Sequence, residues 1–368
     1  MDFQWRKKRE RKSYLALGDG AVFHGYGFGW PQDGPGEAVF NTGMTGYEEI
    51  ISDPSYAGQF VALTTAEVGN YGFRRADMES RGLFLNGLIV QEINPGSHYS
   101  SEEELADVLI RCRKPGLAGV DTRALTLHLR EHGSQKAYLH VSEEELAESE
   151  AVERARAWEG LDGRDYASLV TVKEPYMWSE TGSFHVVVYD FGVKYNILRS
   201  LASLGVRVEV VPAATPAEEV LAKRPDGVFL SNGPADPSAV GYAAENIRRL
   251  LGHVPLMGIC LGHQLLGLAC GAKCGRLPFG HHGCNHPVKD LRTGLVAISS
   301  QNHNYALTSL PDTLELTHVN LNDGSCEGIR HKSAPAFSVQ YHPEAAPGPR
   351  DAKIVFEEFI HLMEAFGK

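Results

Sequence analysis

Cys260 sits between Gly258 and Gly262 in the run MGICLGHQ, residues 257–264. An apolar run precedes it and a second follows it, the pattern of a strand that turns abruptly into a helix. Such a turn needs small flanking residues, and glycines two positions to either side have the spacing of a nucleophile elbow. The turn is expected to push the sulfur out over the end of the strand. There the first amides of the next helix favour a thiolate and leave the Leu261 N–H able to hold an oxyanion. A cysteine that merely fills a core needs no such frame.

A thiolate nucleophile needs a base, and the chain holds 16 histidines. The stretch FSVQYHPEAAPG, 337–348, narrows the choice, because AFSVQY reads as a strand that ends at His342, Pro343 and Glu344. Residues two apart in an extended segment share a side. Glu344 is thereby placed to orient His342 and to stabilise its imidazolium. Cysteine, histidine and acid in those roles perform acyl transfer. His263 also follows the cysteine closely, but a residue on the helix just after a nucleophile is expected to point away from it.

The elements around these residues alternate. HVVVYDFG (185–192), VRVEVVP (206–212), DGVFLSNGP (226–234) and VPLMGIC (254–260) read as strands, the first ending in a turn and the third leading into a loop. KYNILRSLASLG (194–205), PAEEVLAKRP (216–225), YAAENIRRLLGH (242–253) and LGHQLLGLACG (261–271) read as helices between them. Apolar strands alternating with helices form a parallel sheet covered on both faces, with the site at the carboxyl ends of the strands. The first half has another rhythm. GDGAVFHGYGFG (18–29) reads as short strands broken by glycine, and SEEELADVLIRC (101–112) as a helix capped by Ser101 or Ser100. DTRALTLHLREHG (121–133) reads as a helix with Asp121 at its head and Gly133 at its end, and SEEELAESEAVERARAWEG (142–160) as another helix. The aperiodic stretch 172–184 marks the expected boundary, giving an α+β domain over 1–178 and a mostly parallel α/β domain over 179–368.

The 368 residues suit two domains, and 43% hydrophobic with 22% charged residues suit a globular protein. A net charge of −11 argues against broad nucleic-acid binding. No apolar run reaches the length of a membrane span. The basic start, MDFQWRKKRERKSYLAL, lacks a following signal-type stretch and reads as a solvated arm, so a cytoplasmic location is expected. The six cysteines show no paired framework and are expected to be reduced thiols, Cys270 and Cys274 among them.

GICLGHQ at 258–264 and QYHPE at 340–344 resemble the class I (triad) glutamine amidotransferases. SNGPADP (231–237), GHHGCNHPV (280–288), SQNHNYA (300–306) and HPEAAPGP (342–349) narrow the resemblance to the small, glutaminase subunits of carbamoyl-phosphate synthases. So do VFNTGMTGYEEIISDPSYAGQ (39–59) and GVDTRALTLHLREHG (119–133) in the first half. The resemblance implies a flavodoxin-like glutaminase domain behind a domain that associates with the large subunit. It implies that Cys260 attacks the side-chain amide of L-glutamine, that His342 moves the proton, and that Glu344 orients His342. It implies glutamine-binding positions at Ser55, Gly233, Ala235, Leu261, Gln264, Asn302, Asn304 and Tyr305, with Gly233 and Leu261 as the oxyanion donors. Ammonia would pass to a large synthetase subunit that makes carbamoyl phosphate from bicarbonate and ATP for arginine and pyrimidine synthesis. No cofactor is implied in this chain: it has no glycine-rich phosphate loop ending in Lys-Ser/Thr, and ATP and Mg belong to the large subunit.

Two positions depart from the family pattern, Ala235 and Asn304, each standing where glycine is usual. Asn tolerates left-handed backbone well, and Ala does so at a cost of about 1–2 kcal/mol. His281, His282, Cys284 and His286 have the composition of a zinc site, but the family carries this histidine-rich stretch without metal. His282 and His286 are expected to be hydrogen-bonded structural residues. Another class I amidotransferase or a γ-glutamyl hydrolase would lack the first-half motifs. A regulatory module without catalysis would have lost Cys260, His342 or Glu344, and all three stand.

Overall fold

The structure, a computed structural model, describes residues 11–234 and 236–367. The basic arm at 1–10 and Ala235 lie outside the described residues. The chain forms two compact units, Met1–Leu161 and Asp162–Lys368. The division thus falls at 161/162 rather than at 178/179. The reason is packing: Ala167 belongs to the second unit's core, and the strand Tyr176–Ser179 pairs with Val206–Pro212 at the edge of that unit's sheet.

In the first unit, strands close into a barrel in the order Lys12–Leu17, Val22–Gly29, Pro115–Ala118, Gly87–Ile89, Gln59–Leu63, Gly34–Asn41, Gln135–His140. Val22–Gly29 is one strand rather than several pieces, because its glycines serve close packing. A Cβ at Gly25 would lie 2.3 Å from the Ala118 carbonyl oxygen, and one at Gly27 would lie 2.7 Å from Ser13 Oγ. The helix Thr122–His132 is capped as expected: Asp121 accepts from the Ala124 N–H at 2.8 Å, and Gly133 takes φ 86°. The helix at 101–112 is shorter than expected, Leu105–Arg111. It starts after Glu104, so neither Ser100 nor Ser101 caps it. Only Glu148–Ala157 of the 142–160 stretch is helical, since Ser142 is instead bonded to Asp33.

The second unit holds a ten-stranded sheet. Val206–Pro212, Phe184–Asp190, Gly227–Leu230, Leu256–Ile259 and Ala336–Val339 run parallel at its centre. The remaining pairings are antiparallel, so the expected mostly parallel sheet is parallel only in that central part. The long hairpin Lys273–Asp290 with Val296–Ser309 accounts for much of the difference. Alternation along the parallel strands explains their uniform apolarity. Val186 and Val188 face one core with the helices Tyr195–Ser203 and Ile354–Phe366. Val187 and Tyr189 face the other, with Ala217–Ala222, Gly241–Leu250 and Leu261–Ala269. Both faces are thus dry, as a parallel sheet requires. Lys194, Gly233, Cys260 and His342 follow the carboxyl ends of four adjacent parallel strands. No helix among the described residues is long and apolar enough to cross a membrane.

Candidate active site

Cys260 joins the strand Leu256–Ile259 to the helix Leu261–Ala269 with φ 53° and ψ −108°, a backbone conformation that a residue with a side chain adopts only under strain. The neighbouring glycines are there because nothing larger fits. A Cβ at Gly262 would lie 2.2 Å from the Leu230 carbonyl oxygen, and one at Gly258 would lie 2.7 Å from the Gly262 carbonyl. The helix therefore starts close against the neighbouring strand, with the Gly262 N–H donating to Ser231 O at 3.0 Å. The sulfur sits past the end of the strand and is buried there. Cys260 is only 2% exposed, and its thiol donates to the Asn302 carbonyl oxygen at 3.5 Å. The strand Val296–Ser309 carries that carbonyl.

The structure brings His342 and Glu344 to this cysteine. His342 Nδ1 lies 2.7 Å from Glu344 Oε1. The two are not in extended strand: the strand ends at Val339, and the Ala345 N–H donates to His342 O at 3.1 Å, closing a turn. The turn, rather than strand alternation, sets the pair. Its position is fixed by the His342 N–H, which donates to Ser300 O at 2.9 Å. Nε2 of His342 is buried with no hydrogen-bond partner among the described residues. Burial works against the imidazolium, yet Glu344 and Cys260 beside it outweigh it and hold His342 well above its ordinary range. Burial likewise works against the Glu344 carboxylate, and Lys194 with His342 holds it below its usual range.

Lys194 was not singled out from the sequence. Its Nζ donates to Glu344 Oε1 at 2.9 Å and to the Ala345 carbonyl at 2.5 Å, and its side chain is buried. Asn196, on the helix that follows, donates to the Glu344 carbonyl. The signal that could have found Lys194 is its place just past the carboxyl end of the strand Phe184–Asp190. Asp190 itself shapes that exit, accepting from the Gly192 and Val193 amides at 2.9 and 2.7 Å.

The other expected positions divide. Gly233 packs so closely that a Cβ would lie 2.2 Å from Phe191 O and 2.8 Å from Leu261 Cδ2, so the Leu261 side chain packs against Gly233. Leu261 is the first residue of its helix, where the N–H has no intrahelical acceptor. Gln264 Nε2 donates to Tyr305 O at 2.8 Å and to Gln340 Oε1 at 3.0 Å. Tyr305 gives its hydroxyl to Asp162, which also pairs with Arg276. Ser55 lies in the first unit, on the short turn Pro54–Tyr56, whose start Asp53 caps by accepting from the Ser55 N–H at 2.9 Å. Ala235 is outside the described residues.

His263 turns away, its Nδ1 2.9 Å from Ser338 Oγ, and burial keeps it neutral by lowering its pKa to about 3. The histidine-rich stretch does not gather into one cluster. His282 bridges two asparagines, and Cys284 contacts the Pro347 carbonyl at 3.6 Å. His286, expected to be hydrogen-bonded, leaves its buried Nδ1 without a partner among the described residues. Only His281 of that stretch joins a group of ligand-type side chains, with His303 and Glu327. Most of their atoms are engaged: His303 Nδ1 lies 2.7 Å from Tyr305 O and its Nε2 2.9 Å from Gln301 Oε1, while Glu327 Oε1 accepts from Gln301 and Asn320 and its Oε2 is buried without a partner among the described residues. Cys270 and Cys274 are free thiols packed beside Leu307 and Cys326, and burial pushes them up to about 11 and 12.

Residues 15–139 match the family described as carbamoyl-phosphate synthase small chain, CPSase domain, and residues 187–362 match glutamine amidotransferase class-I. The carbamoyl phosphate synthase small chain of Syntrophotalea carbinolica is 50% identical over 370 residues, covering 96% of this chain and 98% of that one. The chloroplastic small chain of Oryza sativa is 48% identical over 366 residues, covering 95% and 82%. A solved glutamine amidotransferase from Thermotoga maritima aligns with a TM-score of 0.36 at 19% identity, over 50% of this chain and 85% of its own. Sharing both domains and near-complete length with such relatives, the chain belongs to the carbamoyl phosphate synthase small chains, enzymes that carry a class-I glutamine amidotransferase domain.

Proposed function

We propose that this chain hydrolyses L-glutamine at Cys260 and delivers the ammonia to a large synthetase subunit. The observation that carries the reading is the buried line Cys260, His342, Glu344 and Lys194, set at the ends of adjacent parallel strands. The Cys260 sulfur adds to the carboxamide carbon of glutamine while the amides of Gly233 and Leu261 receive the negative charge on its oxygen. The imidazolium of His342 gives its proton to the departing nitrogen, which leaves as ammonia. The resulting thioester is cleaved by water, whose proton returns to His342, and glutamate leaves with the thiolate restored.

In this reading Glu344 keeps the His342 ring oriented and charged, and Lys194 keeps Glu344 ionised. Gln264, Asn302, Asn304 and Tyr305 bind the substrate. Ser55 and Ala235 enter on the family resemblance. The chemistry on this chain needs side chains and water. The steps that use ATP, Mg and bicarbonate to form carbamoyl phosphate, for arginine and pyrimidine synthesis, fall to the large subunit.

The test is glutamate and ammonia release from glutamine by the chain and by Cys260→Ser, each with and without a large synthetase subunit. Release by the chain, a rise with the large subunit, and loss in the serine variant support the reading. A chain that binds the large subunit yet releases no glutamate is a regulatory module, and the glutaminase reading falls.

A further inference from the structure

His282 lies on the strand Lys273–Asp290, paired opposite Asn302 on Val296–Ser309. Its ring is buried and spans two side chains of the facing strand. Nδ1 is 3.0 Å from Asn302 Oδ1, and Nε2 is 2.9 Å from Asn304 Oδ1. Burial outweighs both contacts and lowers its pKa to about 4, so the ring is neutral wherever the enzyme would work. A neutral imidazole offers one N–H and one lone pair. One of the two amides must therefore present its oxygen and the other its nitrogen, so the ring couples the two orientations.

Gly280 completes the arrangement. Its φ is +68°, and a Cβ there would lie 2.5 Å from both Asn304 Oδ1 and His282 Nε2. A side chain at 280 would crowd that bond and also the His303 carbonyl oxygen, 2.7 Å from the same Cβ. The backbone held in this way is the one that meets the cysteine, since the Asn302 carbonyl accepts the Cys260 thiol.

We propose that His282 is a positioning residue for glutamine: it holds Asn302 and Asn304 in the orientation that receives the substrate, and Asn304 supplies one of its two anchors. The assignment rests on the glutaminase reading. It also accounts for the departure at 304. Where the resembling family usually carries glycine, this chain has a side chain whose polar end is taken up by a buried ring instead of intruding on the substrate.

The experiment measures glutamate release against glutamine concentration, with the large subunit present, for the chain and for His282→Ala, Gly280→Ala and the double variant. Thermal melting of each is recorded alongside. His282→Ala is expected to raise KM for glutamine about tenfold while kcat stays within about twofold, the scale of one buried hydrogen bond. Gly280→Ala is expected to do the same, and the double variant is expected to be no worse than His282→Ala. If His282→Ala does not fold, Gly280→Ala decides: a raised KM supports the assignment and an unchanged one overturns it. A kcat that falls in step with KM, tracking the loss of melting temperature, also overturns it, since that is the mark of a residue that only stabilises. An inert parent chain removes the glutaminase reading and this assignment with it, whereas an active parent with unchanged variants removes this assignment alone.

Discussion

Lys194 Nζ and Glu344 Oε1 lie 2.9 Å apart, both buried, and the same Glu344 oxygen lies 2.7 Å from His342 Nδ1. One carboxylate oxygen thus serves two cations. Three charged groups in a dry site cost free energy unless each is paired. Lys194 also donates to the Ala345 carbonyl, so it tethers the turn that holds His342 to the exit of a different strand.

Replacing Lys194 with Met is expected to destabilise the chain by about 3–5 kcal/mol, because the change leaves a buried carboxylate short of a partner. Urea denaturation of the two proteins at neutral pH measures the difference. An exposed ion pair would lose less than about 1 kcal/mol, and a loss that small would show that Lys194 does not pair in solution as it does here.

The pair also sets a pH dependence whose sign follows from linkage. Glu344 is held below its ordinary value of 4.5, so its contribution is complete above that value and is lost as pH falls toward about 2. His342 is held above its ordinary 6.5, so its contribution is complete below that value and is lost as pH rises toward about 10. The stability advantage over Glu344→Gln is therefore expected to be greatest between 4.5 and 6.5 and to shrink on both sides. Urea midpoints from pH 3 to 9 for both proteins give the curve, and a flat difference would contradict it.

Gly262 faces the Leu230 carbonyl oxygen at a distance that leaves no room for a methyl group. Both clashing atoms nearest the added Cβ are backbone, so relief requires the helix Leu261–Ala269 to shift. Gly262→Ala is expected to cost about 3 kcal/mol or more and to lower glutamate release, since the shift moves Leu261 and Cys260 together. A variant with parental melting and turnover would show that the helix can move without consequence.

Strain at Cys260 predicts an ordering between two inactive variants. A residue with a Cβ is disfavoured at φ 53° and ψ −108°, whereas glycine accepts it freely. Cys260→Gly is expected to be more stable than Cys260→Ala by about 1–3 kcal/mol, the reverse of the usual effect beside a helix. Calorimetry on the two proteins decides it. A more stable alanine variant would mean that the elbow relaxes when the thiol is gone.

Much of the second unit was legible in the chain itself. Apolar runs of strand length, glycine-ended amphipathic segments and the spacing Gly258–Cys260–Gly262 are local features, governed by backbone sterics and burial on both faces of a parallel sheet. For the same reason the helix Thr122–His132 and its cap could be read directly. The places where the reading slipped depend on partners distant in sequence. Val22–Gly29 stays one strand because Ala118 and Ser13 crowd its glycines. The Ser101 cap fails because the helix begins later, and residues 162–178 join the second unit by packing into its core and sheet edge.

By itself, then, the sequence determined the residue types, the elbow and the order of the elements, since each follows from short-range periodicity and sterics. Only the tertiary structure decided that the cysteine is buried and that a turn, not a strand, joins His342 to Glu344. It alone placed Lys194, 150 positions away, behind the acid. It alone set His282 between two asparagines. These are consequences of burial and of which strand ends meet. No local pattern encodes them, because the desolvation that makes each contact matter exists only once the chain has folded.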